Sequence, residues 1–265
     1  MERNAYILKG ENDNNMIAMS IAGFDPSGGA GILNDIKTFH AMGVYGTAAI
    51  TVLTAQNPSR VKAIQPVSTD MIEKQIDTVI EDYPIKYAKT GMLFNTNNVK
   101  LVSDKIAEYD LKVVVDPVMV AGCGAELSDE GYSRSLIKYL LPKASLVTPN
   151  IDEAEKISGY KIHTLDDAIR AAKKIGAVCD VVITGGHLKG VNVLFNGEIK
   201  VINGELVETR NTHGTGCSFS AAVTAGLVKN NNLIKSVEIA VEFVKNSVIN
   251  GDWGTLNQFH KIKLE

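Results

Sequence analysis

From Met16 onward, short apolar runs alternate with longer stretches of helical period, and this rhythm restricts the fold more than any other property of the chain. The runs Ile17–Ala22, Ala48–Ala55, Tyr87–Thr90, Val113–Asp116, Ser145–Thr148 and Val181–Thr184 are rich in Val, Ile and Ala and apolar on both faces. A strand apolar on both faces needs cover on both, so these read as strands of a sheet sandwiched by helices. Between them, Ile32, Leu33, Ile36 and Phe39 recur at helical spacing within Gly31–Met42, with Gly43 as a stop. Thr69 and Asp70 precede a run with Ile72, Ile76, Val79 and Ile80 on one side, and Ser128 is a candidate cap for a helix carrying Leu136, Ile137 and Leu140. Thr164 and Asp167 have capping-box spacing before Ile169, Ala172 and Ile175. Repeated βα units of this length predict a largely parallel sheet. Val191–Phe195 and Ile199–Ile202 flank Asn196-Gly197, which predicts an antiparallel edge hairpin after the parallel part. Helices near Thr215–Lys229 and Leu233–Asn250 close the chain.

No linker, repeat or low-complexity block interrupts residues 16–265, which are expected to form one α/β domain behind a loosely held polar tail at 1–15. A formal net charge of −3 with interspersed signs argues against non-specific nucleic-acid binding. No apolar run approaches the roughly 20 residues a membrane span needs. The three cysteines, Cys123, Cys179 and Cys217, follow no metal-ligand spacing, and an odd count fits a reducing cytoplasm.

Five segments could carry chemistry, each with a plainer reading beside it. The loop Ala22–Gly31 contains Gly28, Gly29 and Gly31 between the first strand and the first helix, where ligands of open α/β sheets bind, yet a tight glycine turn explains it as well. It matches neither the P-loop nor the dinucleotide fingerprint. Thr212-His213-Gly214-Thr215-Gly216-Cys217 runs directly into a small-residue helix, an arrangement suited to an oxyanion or a transferring phosphoryl group. The same field would favour a Cys217 thiolate, while a buried Cys packing at a helix start is the alternative. In Thr148–Glu153, Asn150 and Glu153 can face a Mg²⁺-phosphate or simply form a capping box. Asp116 ends a buried strand at the ligand face, or equally caps the following turn, and Thr184-Gly185-Gly186-His187 ends another strand with residues small enough to line a nucleotide, or simply makes a glycine turn.

Taken in order, these segments resemble the ribokinase-like superfamily and, within it, the hydroxymethylpyrimidine/phosphomethylpyrimidine kinases of thiamine biosynthesis. The resemblance covers nearly all of Met16–Asp252 and rests on Ala22–Gly31 running into Asn34–Phe39, then Thr54–Asn57, Lys89–Leu93, Asp116–Val120, Thr148–Glu153 and Thr212–Cys217. It implies a three-layer α/β/α domain with a mostly parallel sheet, in a homodimer. The implied reaction moves the ATP γ-phosphoryl to the hydroxymethyl group of 4-amino-5-hydroxymethyl-2-methylpyrimidine, then to the monophosphate, with Mg²⁺. By position, Gln56 and the backbone near Gly23 would bond the aminopyrimidine, Asp35 would lie near the reacting arm, and Met92 and Val118 would border the ring. Gly214, Thr215, Gly216 and Cys217 would form the anion hole, with Asn150, Thr184 and Gly186 toward the nucleotide. Asp116 and Glu153 would serve the metal, Glu153 through water. Relatives commonly carry Lys where this chain has Gly122 and Thr184, and Lys89 or Lys189 would then have to compensate. Two other functions are weighed against this one: a pyridoxal/pyridoxine kinase of the same subfamily, and a non-catalytic pyrimidine sensor on the same fold.

Overall fold

Alternating side chains on short, doubly apolar strands give the molecule two hydrophobic layers, one on each side of a single sheet. The structure, a computed structural model, describes residues 16–120 and 131–261. The expected tail at 1–15 therefore lies outside the described residues, as do Gly122, Cys123 and Ser128.

In chain order the elements are β1 (Ile17–Phe24), α1 (Gly31–Ala41), β2 (Tyr45–Asn57), β3 (Arg60–Pro66), α2 (Thr69–Asp82), β4 (Tyr87–Thr90), α3 (Thr96–Glu108) and β5 (Lys112–Val115). Next come α4 (Tyr132–Ser135), continued by a wide π turn over Leu136–Leu140 and a 3₁₀ turn over Leu141–Lys143, then β6 (Leu146–Val147) and α5 (Ile151–Ser158). The chain closes with α6 (Leu165–Ile175), β7 (Val181–Ile183), β8 (Val191–Phe195), β9 (Ile199–Asn203), α7 (Thr215–Val228) and α8 (Leu233–Ile249). Among the described residues the nine strands lie in the order β3-β2-β1-β4-β5-β6-β7-β8-β9. Strands β2, β1, β4, β5, β6 and β7 run parallel, while β3 pairs antiparallel with β2 at one edge and, at the other, β8 pairs antiparallel with β7 and β9 antiparallel with β8.

The period of two decides which layer each side chain enters. Val113 and Val115 join the layer formed with α2, α3, α5 and α6, while Val114 between them joins the layer of α7 and α8. Val181 and Ile183 are divided from Val182 in the same way. The predicted hairpin at β8 and β9 is present, and so is the capping box in which Thr164 and Asp167 exchange hydrogen bonds.

Two elements were not expected. Strand β3 is mostly exposed, with only Val61 and Ile64 partly buried, so it carries too little apolar alternation to read as a strand. Its pairing with β2 supplies the hydrogen bonds that its side chains do not advertise. Helix α3 presents Val99, Val102 and Ile106 at ordinary helical spacing and was legible in principle.

The order places β1 between β2 and β4, so the chain winds away from β1 in both directions. Crevices at such a switch point, beyond the carboxyl ends of the strands, are where open α/β sheets hold ligands.

Candidate active site

A cavity of about 300 Å³ opens at that switch point. Its walls come from the ends of successive parallel strands: Gly23 near the end of β1, Met92 after β4, Asp116 and Val118 after β5, and Thr148 after β6. Gln56 enters from β2 at a place where the pairing register with β3 shifts, and the Thr54 hydroxyl lies 3.3 Å from its Oε1. Met92 and Val118 pack with Val52 in one small apolar cluster, giving this wall a surface suited to a flat ring.

A second cavity, of about 380 Å³, lies beside the first and contains Gly185, Gly186, Val207, Phe219 and Val248. The two cavities share Asn150, Thr184, Thr212, Thr215 and Gly216. They therefore meet over the first turn of α7. Gly214 precedes that turn at φ +92, a conformation that favours glycine, and no side chain caps the helix. An uncapped helix start offers its backbone N–H groups and positive dipole end to an anion from either cavity.

Of the residues singled out in the sequence, Gly23, Gln56, Met92, Val118, Asp116, Glu153 and Gly214–Cys217 line the first cavity. Asn150 and Thr184 border both, and Gly186 borders the second. Asp35 lines neither cavity. It is wholly buried behind the first, where the Lys89 ammonium donates to its carboxylate at 2.9 and 3.1 Å and the Ser20 hydroxyl donates at 2.5 Å. Lys89 Nζ is also 3.5 Å from Asp116 Oδ2, and the Ser220 hydroxyl of α7 lies 3.1 Å from the same oxygen. One buried chain of polar contacts thus runs from Ser20 through Asp35, Lys89 and Asp116 to Ser220. Burial pushes the Lys89 pKa down, but the carboxylates of Asp35 and Asp116 outweigh it and keep the ammonium charged. Lys89 is spent on these carboxylates, so it cannot replace a missing phosphate-binding lysine. Lys189 lines neither cavity. Arg210 lines the first cavity and is exposed.

The expectation for Cys217 is also revised. Burial pushes its thiol up to about 12, and Asp116 and Asp35 add to that against the pull of Lys89. The helix N-terminus does not make a thiolate here, because burial opposes ionisation and two buried carboxylates add to it.

Glu153 satisfies both of its readings. It forms the capping box with Asn150, accepting that residue's backbone N–H at 3.0 Å, and its other oxygen lies 3.4 Å from the Met119 N–H. It also faces the cavity. Burial, with the charge of Asp116, pushes its carboxyl from 4.5 up to about 8. A carboxyl raised in the folded state favours folding at low pH, and that contribution is lost as pH climbs from 4.5 toward about 8. The ligand-free protein should therefore lose about 3–4 kcal/mol between pH ~5 and pH ~8, relative to Glu153→Gln. Urea unfolding of both proteins at the two pH values checks this, and parallel pH dependences would refute it.

Asp25 and His213 belong to motifs recognised in the sequence but were given no role there. His213 Nε2 lies 2.8 Å from Asp25 Oδ2, and both side chains are almost out of water. Burial pushes the Asp25 carboxyl up, but hydrogen bonds from His213 and Ser27 outweigh it and bring it below the ordinary value. No spacing rule joins positions 188 residues apart. Lys89 did carry a signal, since a lysine inside a buried strand requires a carboxylate partner.

A family model described as phosphomethylpyrimidine kinase matches residues 25–260. A hydroxymethylpyrimidine/phosphomethylpyrimidine kinase of Bacillus subtilis (strain 168) is 42% identical over 88% of this chain and 89% of its own length. A pyridoxine kinase of the same organism is also 42% identical, over 87% of this chain and 89% of its own. The pyridoxal kinase from Staphylococcus aureus, solved with AMP-PCP and pyridoxal, superposes with a TM-score of 0.84 at 30% identity, covering 94% of this chain and 96% of that one.

Proposed function

The chain belongs to the phosphomethylpyrimidine kinase family and is an ATP-dependent phosphotransferase, and from that premise we propose that it phosphorylates 4-amino-5-hydroxymethyl-2-methylpyrimidine and then the monophosphate. The observation that carries this reading is the meeting of two cavities over the α7 N-terminus. One has an apolar wall and an amide for a ring, and the other has the size and glycine lining for a nucleotide.

In this reading the aminopyrimidine lies against Met92 and Val118. Gln56, whose amide can both donate and accept, pairs with the ring edge, helped by the backbone near Gly23. ATP occupies the second cavity beside Asn150, Thr184 and Gly186, with its γ-phosphoryl at the N–H groups of Gly214–Cys217. The P–O bond to ADP breaks as the bond to the hydroxymethyl oxygen forms, and the acceptor proton leaves to solvent. Such a transfer needs alignment and charge neutralisation more than a strong base. Cys217, a thiol at neutral pH, then acts by position. Asp35 supports the site from behind through Lys89, and Arg210 is the cation available to the monophosphate.

Mg²⁺ belongs to this proposal. Among the described residues no group of three or more acidic, His or Cys side chains forms a metal cage. Asp116 and Glu153 both face the cavity, where burial and the charge of Asp116 hold the Glu153 carboxyl up at about 8, an arrangement that suits an ion arriving on nucleotide phosphates and held partly through water. Bound there, Mg²⁺ would neutralise charge developing on the phosphoryl oxygens.

A single domain over residues 16–265, a homodimer and a cytoplasmic location complete the proposal. Among the described residues, one sheet takes in every strand, Cys179 and Cys217 are unpaired, and no helix is long and apolar enough to cross a membrane. Sedimentation analysis tests the dimer.

The discriminating experiment is a coupled ADP-release assay with hydroxymethylpyrimidine, its monophosphate and pyridoxal, with products identified by mass. The pyrimidine is expected to be the best acceptor, and a preference for pyridoxal would overturn the assignment in favour of the relative named pyridoxine kinase. Gln56→Met should raise the KM for the pyrimidine ~10–100-fold, because a buried ring edge loses its partner, while the KM for pyridoxal changes little. Equal effects on both acceptors would remove Gln56 from the recognition of the ring.

A further inference from the structure

We propose that Asp25 and His213 form a latch that holds the acceptor-side loop against the phosphoryl-side loop, and so directs the γ-phosphoryl to the bound alcohol and not to water. This rests on the phosphotransferase reading above and adds two positioning residues to it.

The latch joins segments that are remote in sequence. Asp25 stands two residues beyond Gly23 in the loop after β1, and His213 immediately precedes Gly214 at the start of α7. Both loops line the first cavity, one on the acceptor side and the other under the phosphoryl position.

The oxygens of Asp25 are fully engaged. Oδ1 accepts from the Ser27 backbone N–H at 2.9 Å and from its hydroxyl at 2.8 Å, while Oδ2 accepts from the Ala30 N–H at 3.1 Å and faces His213 Nε2 at 2.8 Å. An ionised carboxylate has about four acceptor sites, so none is left for a ligand. Since it cannot donate, Nε2 of His213 must carry the proton between them. Three of the four bonds shape the loop that Asp25 belongs to. The fourth is the one that leaves it.

The main chains meet at the same place. A Cβ built on Gly214 would lie 1.8 Å from the Gly29 carbonyl oxygen, and one on Gly29 would lie 2.3 Å from Cδ2 of the His213 ring. The glycines at 29 and 214 therefore allow the two loops to touch. From the other side, the segment after α8 anchors His213. Its backbone N–H donates to the Gly254 carbonyl at 3.1 Å, and Asn211 bonds the Gly251 carbonyl at 2.7 Å and the Gly254 N–H at 2.9 Å. With its backbone tied to one segment and its ring to another, His213 sets the gap between the alcohol and the phosphoryl cradle before any ligand arrives. Small errors in that gap are costly, since a misplacement of ~1 Å can reduce turnover ~100-fold. A loosened gap also admits water, which accepts the same phosphoryl and yields inorganic phosphate and ADP.

The test is the ratio of inorganic phosphate to phosphorylated alcohol formed per ADP. This ratio is independent of the fraction of protein that is folded, so a merely structural role would not move it. The acceptor is whichever of hydroxymethylpyrimidine and pyridoxal the unmodified protein phosphorylates. A wrong pyrimidine assignment then shows in the unmodified protein, and a failed latch only in the variants. His213→Ala should raise the ratio ~10-fold or more and lower the rate of transfer ~10–100-fold. His213→Gln, whose amide N–H reaches a similar point, should return the ratio to within about threefold of the unmodified value. Asp25→Asn leaves an acceptor oxygen for the Ser27 bonds and weakens the fourth. It should shift the ratio in the same direction, and it serves as the reading if His213→Ala does not fold. An unchanged ratio in the folded variant, or a Gln variant no better than Ala, overturns the proposal.

Discussion

Gly216→Val is expected to abolish phosphoryl transfer, with a loss of at least ~10³-fold in kcat/KM, while the protein folds and melts close to the unmodified chain. The two halves of that result have separate causes. A Cβ built on Gly216 meets nothing within 4 Å, and the residue does not adopt a positive φ, so the backbone accepts a side chain without strain. The space it enters is shared by both cavities, directly over the first turn of α7. Two methyl groups there occupy the position that the transferring phosphoryl group would take against the N–H groups. Cys217→Ser is the comparison. The thiol titrates near 12 and carries no charge to lose at neutral pH, so the hydroxyl should retain turnover within about tenfold. Steady-state kinetics and thermal melts of both variants check this. Equal and complete loss in the two would mean that Cys217 does chemistry that its environment argues against.

Lys89→Met should destabilise the protein by about 3–5 kcal/mol, the usual cost of leaving a buried charge without its partner. Asp35 is wholly buried with Lys89 beside it, and Asp116 is nearly so. Burial already holds the Asp35 carboxyl above its ordinary value against the pull of Lys89, and loss of the ammonium would raise it further, so the deficit should shrink as pH falls and grow as pH rises. Asp35→Asn added to Lys89→Met removes one of the two stranded charges and should restore much of the stability. Activity should stay low, because Asp116 has still lost the cation that holds it under the cavity. Denaturant unfolding at two pH values together with kinetics separates these effects. A single variant as stable as the unmodified protein would show that the three groups do not form the network described.

Much of this molecule could be read from its order of residues. Doubly apolar runs required a covered parallel sheet, Asn196-Gly197 announced the edge hairpin, and Thr164 with Asp167 announced a cap; all three are present. The segments at the strand ends were identifiable as the ligand side, because local chemistry such as a glycine loop, a strand-end carboxylate or a helix start is written within a few neighbouring positions. Strand β3 was not legible because its reason for being a strand lies in β2. The sequence left the Cys217 thiol open between a thiolate and a packed thiol because a helix start is a local feature, whereas the burial that opposes ionisation, and the carboxylates of Asp35 and Asp116 that add to it, are set by α1 and the end of β5. Asp35 itself passed for a residue beside the substrate until its place behind the cavity was visible. Sequence alone determined the layer architecture and the side of the sheet on which chemistry can occur, since both follow from periodicity and short-range pattern. Only the tertiary structure decided which charges neutralise one another and that Asp25 meets His213, because electrostatics and hydrogen bonds depend on distances that the fold sets between parts of the chain far apart in order.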